Sequence, residues 1–313
     1  MNDAPPDAPP LALRLEVSKV EAGQRVDVVL VARVPSMSRA KAKALAAEGA
    51  LRVNGRRVAK GVRLEAGDVV TLAELPPPAR FRAAPDPDLP LEVVHEDPRF
   101  IVVHKDAGVP THPLRPEERG TLAGALVARY PEMASVGHRP REPGLLHRLD
   151  TGTSGLVLAA RDEGAFVTLR DALLGGSIDK RYLALALGSV RAPQRVDLPV
   201  AHDPGDRRRM VAGEREGARA ASTEVLQSEV RALPGLPAPG DVSRVELRAA
   251  AARRHQVRVH LATLGHPLLG DTLYGGPALP ELAGHCLHAS RLVFAHPETG
   301  APVDVRSTPR GWP

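Results

Sequence analysis

Cysteine and aromatic residues are scarce in this chain of 313 residues. Cys286 is the only cysteine, which excludes an intramolecular disulfide and fits a reducing compartment. Its apolar neighbour Leu287 favours a buried structural thiol over a nucleophile. Aromatic residues make up only 3%, so leucine, valine and alanine must fill the core, and a hydrophobic content of 43% is enough to form one.

Long apolar runs are also missing. No stretch approaches the roughly 20 residues that a helix needs to cross a bilayer. The first ten residues, MNDAPPDAPP, lack the basic and then apolar pattern of a signal peptide. We therefore expect a soluble, cytoplasmic protein with no membrane partner, and its length suits two domains better than one.

An excess of positive charge is confined to one segment. The chain has 42 Lys/Arg and 37 Asp/Glu, a formal charge of +5. Residues 11–74 hold 12 of the basic and 7 of the acidic residues, which leaves 30 of each elsewhere. This distribution favours a polyanion-binding module attached to a neutral body, although charge alone fits a basic surface with no partner equally well.

The same segment predicts two helices followed by a small sheet. Apolar residues recur at helical spacing in residues 25–34, and Ser38 is placed to cap a second helix. Asn54-Gly55 between alternating residues is the strongest short hairpin pattern, because a type I′ turn needs two positive φ angles. Residues 69–72 predict a further strand.

Six prolines crowd residues 76–90, and this density predicts a semi-rigid linker. We therefore divide the chain into an N-terminal domain at 11–75, the linker, and a second domain at 91–313. Helix and strand patterns mix in the second domain, which predicts an α+β fold with a mainly antiparallel sheet flanked by helices. The arginine-rich run 202–217 is expected to form a loop or hairpin tip. The predicted strands are 91–94, 100–103, 155–160, 182–187, 244–248 and 286–294, and the predicted helices are 121–130, 163–174 and 255–264.

The N-terminal domain resembles the S-four-type RNA-binding domain, or αL motif, in the stretches RVDVVL, SRAKAKALAAEGALRVNGRRV and LEAGDVV. The resemblance covers about a fifth of the chain and implies RNA binding. Arg39 and Lys43 are four residues apart and can share one helical face. Together with Arg56 and Arg57, they are our candidates for contacts to RNA phosphates.

The most informative stretch of the second domain is HRLDTGTSGLVL, residues 147–158. It places a polar cluster that ends in Asp150 before a tight turn and an apolar strand. A rigid strand can hold such a carboxylate against a ligand. Taken alone, the stretch names no reaction, and a structural salt bridge is the better interpretation.

Four stretches in order resemble the RluA family of pseudouridine synthases. They are ED…FIVVHKDAGV, HRLDTGTSGLVLAAR, KRYLA and RRHQVRVHLATLGHPLLGDTLYG, and the match spans about residues 91–307. The resemblance implies that Asp150 is catalytic, that Tyr182 stacks on the target base, and that Arg258 pairs with Asp150. The chain departs from the family at Lys105-Asp106, where the family has Lys-Pro.

The resemblance also implies the reaction. The glycosidic bond of uridine breaks, and the base rotates and rejoins the ribose through carbon 5. Nothing is oxidised and no group is imported, so we expect no cofactor and no metal. An ionised carboxylate attacks the sugar, abstracts a proton or stabilises charge, and these alternatives stay open.

Three neighbours of the carboxylate are candidate substrate-binding residues. Arg148 is placed to fill the gap that a flipped uridine leaves in its helix. His147 and Thr151 flank the same motif. Structured RNA is the expected partner, with large-subunit ribosomal RNA the first choice and transfer RNA the second, and we expect a monomer.

Other functions fit the sequence less well. A glycosidase needs a second carboxylate, and the one candidate, Asp271, lies in a pattern that predicts a turn. The serine in GTSG lacks the spacing of a nucleophile elbow. A metal site on His255, His260 and His266 lacks a zinc pattern, so we expect structural histidines. A non-catalytic RNA-binding or ribosome-assembly protein is the alternative from another class.

Overall fold

The computed structural model describes residues 13–34, 37, 39–59, 61–72, 81–206, 208–233, 240–249 and 252–313. The chain forms two compact units, Met1–Arg80 and Phe81–Pro313. Ser38, the predicted helix cap, lies outside the described residues, as do residues 76–80 of the predicted linker.

The first unit combines two helices with a four-stranded antiparallel sheet of order β1-β4-β2-β3. Apolar side chains of both helices and of the sheet form its core, among them Leu30, Ala42, Leu51 and Val70. The two predicted helices and the last strand are confirmed, and the first strand was not predicted. The elements are β1 Leu13–Glu16, α1 Val26–Arg33, α2 Arg39–Ala47, β2 Leu51–Val53, β3 Arg56–Arg57 and β4 Val69–Leu72.

The predicted hairpin joins β2 to β3. Asn54 and Gly55 have φ angles of 50° and 77°, as a type I′ turn requires. The Asn54 side chain also binds the next strand, because its amide nitrogen donates to Asp68 at 2.7 Å and its oxygen accepts from the Val69 N–H at 2.8 Å. One residue therefore fixes both the turn and its attachment to β4.

The second unit is built on a nine-stranded mixed sheet. The strand order is β5-β6-β7-β14-β8-β13-β12-β9, and β15 pairs with β14. The pairing of β14 with β7 is parallel, and the other pairings are antiparallel, as predicted. The elements are β5 Glu92–Glu96, β6 Phe100–Lys105, α3 Leu122–Arg129, β7 Ser154–Ala160, α4 Glu163–Leu174, β8 Asp179–Leu187, β9 Gln194–Asp197, β10 Val200–His202, β11 Met210–Ala212, β12 Ser222–Ala232, β13 Asp241–Arg248, α5 Gln256–Thr263, β14 Leu287–Ala295 and β15 Pro302–Arg306.

Helices cover both faces of this sheet. Strand β7 sends Val157 and Ala159 into a core that α3 and α5 complete, and Leu156 and Leu158 into a second core with α4. A strand buried on both faces reads as a continuous apolar run, which is why β7 was predicted. The same burial makes β7 a rigid base for the residues that precede it.

The edge strand β9 and its neighbour β12 were not predicted. Strand β12 has the sequence STEVLQSEVRA, and its second half is mostly exposed, so it lacks a clear apolar pattern. It is held by main-chain bonds to β13 and β9, which are independent of side-chain pattern. Residues 202–217 were expected to form a loop or hairpin tip, and they include the connection between the paired strands β10 and β11.

Residues 81–90 belong to the second unit. The Ala83 N–H donates to the Pro140 carbonyl at 3.1 Å, and Ala83 is buried. The buried Asp86 accepts from the Gly120 N–H at 2.7 Å. The linker interpretation therefore does not hold for this stretch, because its proline density accompanies packing against the sheet domain and not a free spacer.

Candidate active site

Asp150 lies in a turn that is fixed on both sides. The Thr153 N–H donates to the Asp150 carbonyl at 3.0 Å, and β7 begins one residue later. On the other side, the buried Thr111 hydroxyl donates to the Leu149 carbonyl at 2.7 Å and accepts from the Leu149 N–H at 3.1 Å. The carboxylate is therefore held by a rigid frame, as the motif predicted.

Lys105 at the end of β6 anchors the same turn. Its ammonium donates to the carbonyls of Asp106, Val109 and Thr151 at 2.9, 2.7 and 3.2 Å. Burial lowers the pKa of Lys105 to about 8, against the opposing charge of Asp150. The sequence analysis missed this role, since no local pattern shows which carbonyls a buried lysine reaches.

A close backbone approach supports the turn from the far side. A Cβ atom on Gly284 would overlap the carbonyl and Cα of Gly152. The next residue, His285, places its Nε2 2.8 Å from the Thr153 hydroxyl. Only a glycine at position 284 leaves room for the turn that carries Asp150.

Arg258 of α5 joins two carboxylates. Its Nη1 donates to Asp150 Oδ2 at 3.1 Å, so the predicted pairing with Asp150 is present. Its Nε and Nη2 donate to the two oxygens of the buried Asp271 at 2.7 and 2.8 Å. Arg258 therefore makes its two parallel bonds with Asp271, a residue whose sequence pattern predicted only a turn.

The environment keeps Asp150 ionised. Burial raises the pKa of Asp150, but the charge of His255 in its protonated form and the charge and hydrogen bond of Arg258 lower it, and the lowering prevails. Burial also holds the pKa of His255 at about 4. Because His255 is therefore neutral near pH 7, Arg258 supplies the positive charge there.

His255 lies at the site, although it was expected to be structural. It adopts a left-handed φ of 54° immediately before α5. Its Nε2 lies 3.8 Å from Asp150 Oδ2, and its Nδ1 lies 2.9 Å from the Tyr274 hydroxyl. The positive φ places the imidazole next to the carboxylate, and this could not be read from residue spacing.

Tyr182 of β8 lines the small pocket that contains Asp150, together with Arg148 and Arg258. We name this the Asp150 pocket. Its volume is about 40 Å³. Burial and the charge of Asp150 raise the pKa of the Tyr182 hydroxyl, which therefore stays protonated at neutral pH.

The three candidate substrate-binding residues differ in their position relative to the Asp150 pocket. Arg148 is exposed and lines the Asp150 pocket. Thr151 has an exposed side chain, and its carbonyl serves the turn. His147 does not line this pocket, since its Nε2 accepts from the Leu158 N–H at 3.2 Å, and burial lowers its pKa to about 3.

The histidines of the metal alternative contact other groups. His260 contacts the Thr223 hydroxyl and the Leu198 carbonyl, and His266 contacts the Leu187 carbonyl. Within the ranges described above, no three His, Cys, Asp or Glu side chains are arranged to hold a metal ion. In those same ranges no helix is long and apolar enough to cross a membrane.

The four predicted phosphate contacts of the first unit are exposed. Arg39 and Lys43 lie on α2, and Arg56 and Arg57 form β3. The Arg57 side chain passes close to Gly49, just beyond the end of α2. These cations are available to a polyanion.

Comparisons with known proteins agree with this architecture. The pattern of the RNA pseudouridylate synthase family matches residues 99–263, and that of the S4 domain matches residues 24–70. An uncharacterized RNA pseudouridine synthase of Synechocystis is 34% identical over 89% of this chain and 83% of its own length. The ribosomal large subunit pseudouridine synthase D of Vibrio parahaemolyticus is 33% identical over 95% of this chain and 91% of its own.

A solved structure shows the same likeness. The human RNA pseudouridylate synthase domain containing 1 is 26% identical, with a TM-score of 0.55 over 70% of this chain and 84% of that one. The matching family model and these relatives place the chain in the class of RNA-modifying enzymes. The chain belongs to the RNA pseudouridylate synthase family, isomerases that act on RNA, and an S4 domain precedes its catalytic domain.

Proposed function

We propose that this chain converts uridines of large-subunit ribosomal RNA to pseudouridine, with Asp150 as the catalytic carboxylate. The observation that carries the proposal is the ion pair between Asp150 and Arg258 in a pocket shared with Tyr182. The choice of RNA is supported by relatives named ribosomal large subunit pseudouridine synthase D.

The chemistry needs one ionised carboxylate beside the ribose. The bond between C1′ and N1 breaks, the base turns, and a bond forms between C1′ and C5. The proton that leaves C5 is balanced by one gained at N1, so the product is an isomer of the substrate. Attack on the sugar, proton abstraction and charge stabilisation all require Asp150 in the state that Arg258 maintains.

Tyr182 and Arg148 act on the base and on the helix that it leaves. The Tyr182 ring holds the detached uracil by stacking, and its protonated hydroxyl is available for a proton transfer. The target uridine must leave its helix to reach the pocket. Arg148, exposed at the pocket, then fills the gap in the RNA.

The proposal includes a role for the S4 domain, a cellular location and an oligomeric state. The cations of the S4 domain bind phosphates of the RNA at positions other than the reacting nucleotide. The enzyme acts in the cytoplasm as a monomer, and its one thiol is inert there, because burial raises the pKa of Cys286 to about 12. Sedimentation of the purified chain tests the monomer.

The test is to incubate the wild-type chain and Asp150→Asn with large-subunit ribosomal RNA transcripts and, in parallel, with transfer RNA. We expect pseudouridine at discrete positions of the ribosomal RNA with the wild type and none with Asp150→Asn, which keeps its fold and RNA affinity. Modification of transfer RNA alone would overturn the choice of substrate. Substantial turnover by Asp150→Asn would overturn the assignment of Asp150.

A further inference from the structure

A second, larger cavity adjoins the Asp150 pocket. Its volume is about 370 Å³, against about 40 Å³ for the Asp150 pocket, and it lies in the size range of ligand sites. Arg148, Ala252 and Arg253 line both spaces. We name it the side cavity, and we find no role for it in the handling of the target uridine itself.

Strand β8 places the two spaces side by side. Tyr182 lines the Asp150 pocket, and Lys180 lines the side cavity. Side chains two residues apart on a strand point to the same face, roughly 6.6 Å from each other. A ligand group in the side cavity therefore lies one step along the strand from a base stacked on Tyr182.

Lys180 is a buried charge that lacks an anion. The residue is 4% exposed, and no hydrogen bond or ion pair reaches its ammonium within the described part of the chain. Burial lowers its pKa to about 8, so the group is charged at neutral pH. Buried charges are normally paired, and the contrast with Lys105, which has three carbonyl partners, indicates that Lys180 awaits an anionic ligand.

Other charges around the side cavity have the same sign. Its only acidic lining residue is Glu142, which already lies 3.3 Å from Arg139 and 3.6 Å from Arg141. Besides its histidines, the basic residues of the lining are Arg139, Arg148, Arg170, Lys180 and Arg253. Such a surplus suits a phosphate group.

Neutral histidines supply partners for a base. Burial lowers the pKa of His112 to about 4. Both of its ring nitrogens are buried without a hydrogen bond in the described chain, and Glu142 at 3.6 Å is too distant to make one. His147 accepts from the Leu158 N–H through Nε2, so its Nδ1 carries the proton.

The rest of the wall is apolar. Leu145, Leu146, Phe166, Leu173 and Leu174 contribute to it. An apolar wall with a few unpaired donors and acceptors and a cationic margin matches a heteroaromatic base that is joined to a phosphate.

We propose that the side cavity binds the nucleotide adjoining the target uridine. Lys180 binds its phosphate, and the base lies on the apolar wall beside His112. The inference rests on the proposed function, and it adds a selection step, because a uridine would be modified when its neighbour also leaves the RNA stack and fits this cavity. A single uridine pocket could not make that distinction.

The first test is Lys180→Met, assayed with a large-subunit RNA stem-loop that the wild-type chain modifies. We expect an unchanged or higher Tm, since no partner in the protein is lost. RNA affinity should fall by about tenfold or more, as for a lost charged hydrogen bond. The salt slope should fall by about 0.7, the value for one phosphate of a single strand.

Arg129→Met is the matched control for the loss of one charge. Arg129 lies over the ring of Tyr130 and does not line the side cavity. Arg170, which does line it, lies over the ring of Phe166 in the same way. Its affinity and salt slope should stay closer to those of the wild type. Wild-type affinity and slope in Lys180→Met would overturn the phosphate site.

The second test combines His112→Phe with single abasic nucleotides on either side of the target uridine. One abasic position should weaken the binding of RNA to the wild type. The same abasic position should cause little further loss of affinity in His112→Phe, because that variant already lacks the contact. Independent losses at every position would overturn the base site. If the wild type forms no pseudouridine in any RNA, the proposed function fails; if only these tests fail, the enzyme stands and the side cavity does not bind a nucleotide.

Discussion

Arg258 divides its donors between two carboxylates, and this division determines how Asp150 is held. Two parallel bonds fix the guanidinium on Asp271, which leaves Nη1 directed at Asp150. A lysine offers one charged nitrogen and no planar fork, so it cannot serve both partners. Asp271 is therefore a positioning residue that acts through Arg258.

The pair of variants Arg258→Lys and Asp271→Asn tests this division. We expect Arg258→Lys to lower kcat on the order of a hundredfold, comparable with the loss of one electrostatic donor elsewhere. Asp271→Asn keeps the charge of Arg258 but loosens its direction, so kcat should fall less and KM little. Single-turnover rates at saturating RNA measure both. Equal rates for wild type and Arg258→Lys would mean that the pair is not used.

The pH dependence of turnover should reflect Lys105. The lowered pKa of Asp150 and the pKa of about 4 for His255 and His285 give no change between about pH 5.5 and 7. Above the pKa of Lys105, about 8, its amine has fewer hydrogens for its three carbonyl partners, so the rate should decline.

Stability should change in the opposite direction. Between about pH 8 and the ordinary lysine pKa of 10.5, the unfolded chain holds a proton that folded Lys105 has lost, so this residue makes folding more favourable as pH rises. Lys105→Met should be slow and lack the alkaline decline, whereas Lys180→Met should keep it at saturating RNA. An alkaline decline that persists in Lys105→Met would assign it to another group.

At the scale of elements, segments with a clear apolar pattern were predictable, and strands β9 and β12 were not. Strand β7 follows from its continuous apolar run and helix α4 from apolar periodicity, because both bury apolar side chains in the sheet cores. Strand β12 is polar and mostly exposed in its second half, which is held there by main-chain pairing with β13. Periodicity reports burial, and that half of β12 has little of it.

The site shows the same limit. Asp150, Tyr182 and Arg258 came from a motif, yet Asp271, Lys105 and His255 were missed or expected to be structural. Arg258 and Asp150 are 108 residues apart, and Lys105 reaches Thr151 across 46. Contacts of this kind depend on how strands β6, β7 and β14 pair, which no local pattern specifies.

The approach of residues 284–285 to the turn predicts a sensitive glycine. Gly284→Ala places a Cβ against the backbone of Gly152, and a backbone cannot move aside as a flexible side chain can. The turn and Asp150 must shift, and a displacement of about 1 Å can cost roughly a hundredfold in rate. We expect kcat to fall by roughly tenfold to a hundredfold, with RNA affinity nearly unchanged.

Gly205→Ala is the matched control, because Gly205 is exposed, has no positive φ, and would meet only the end of the Asp203 side chain at 3.4 Å. Its kinetics should equal those of the wild type. A Gly284→Ala enzyme with normal kcat would show that the turn tolerates displacement.

At the scale of the whole molecule, charge and catalysis belong to different units. The excess of positive charge lies in residues 11–74, and Asp150, Tyr182 and Arg258 lie in the second unit. The second unit has its own cores, one on each face of the sheet, and Ala83 belongs to one of them. Its N-terminal limit therefore falls before residue 83, and a truncation at the end of the predicted linker would remove part of it.

Deletion of residues 1–80 should leave a folded, active enzyme with weaker RNA affinity. Turnover at saturating RNA should change less than affinity, because the catalytic residues remain. If the S4 domain contacts about three phosphates, the salt slope should fall by roughly two, at ~0.7–0.9 per contact. Deletion of residues 1–90 is the informative control, since it also removes Ala83 and the hydrogen bond between Asp86 and Gly120, and its Tm should be lower. Affinity and turnover measured over a salt series decide the matter: identical slopes for the full and shortened chains would show that the S4 domain does not hold the RNA, and unfolding of the shorter deletion would show that the two units depend on each other for stability.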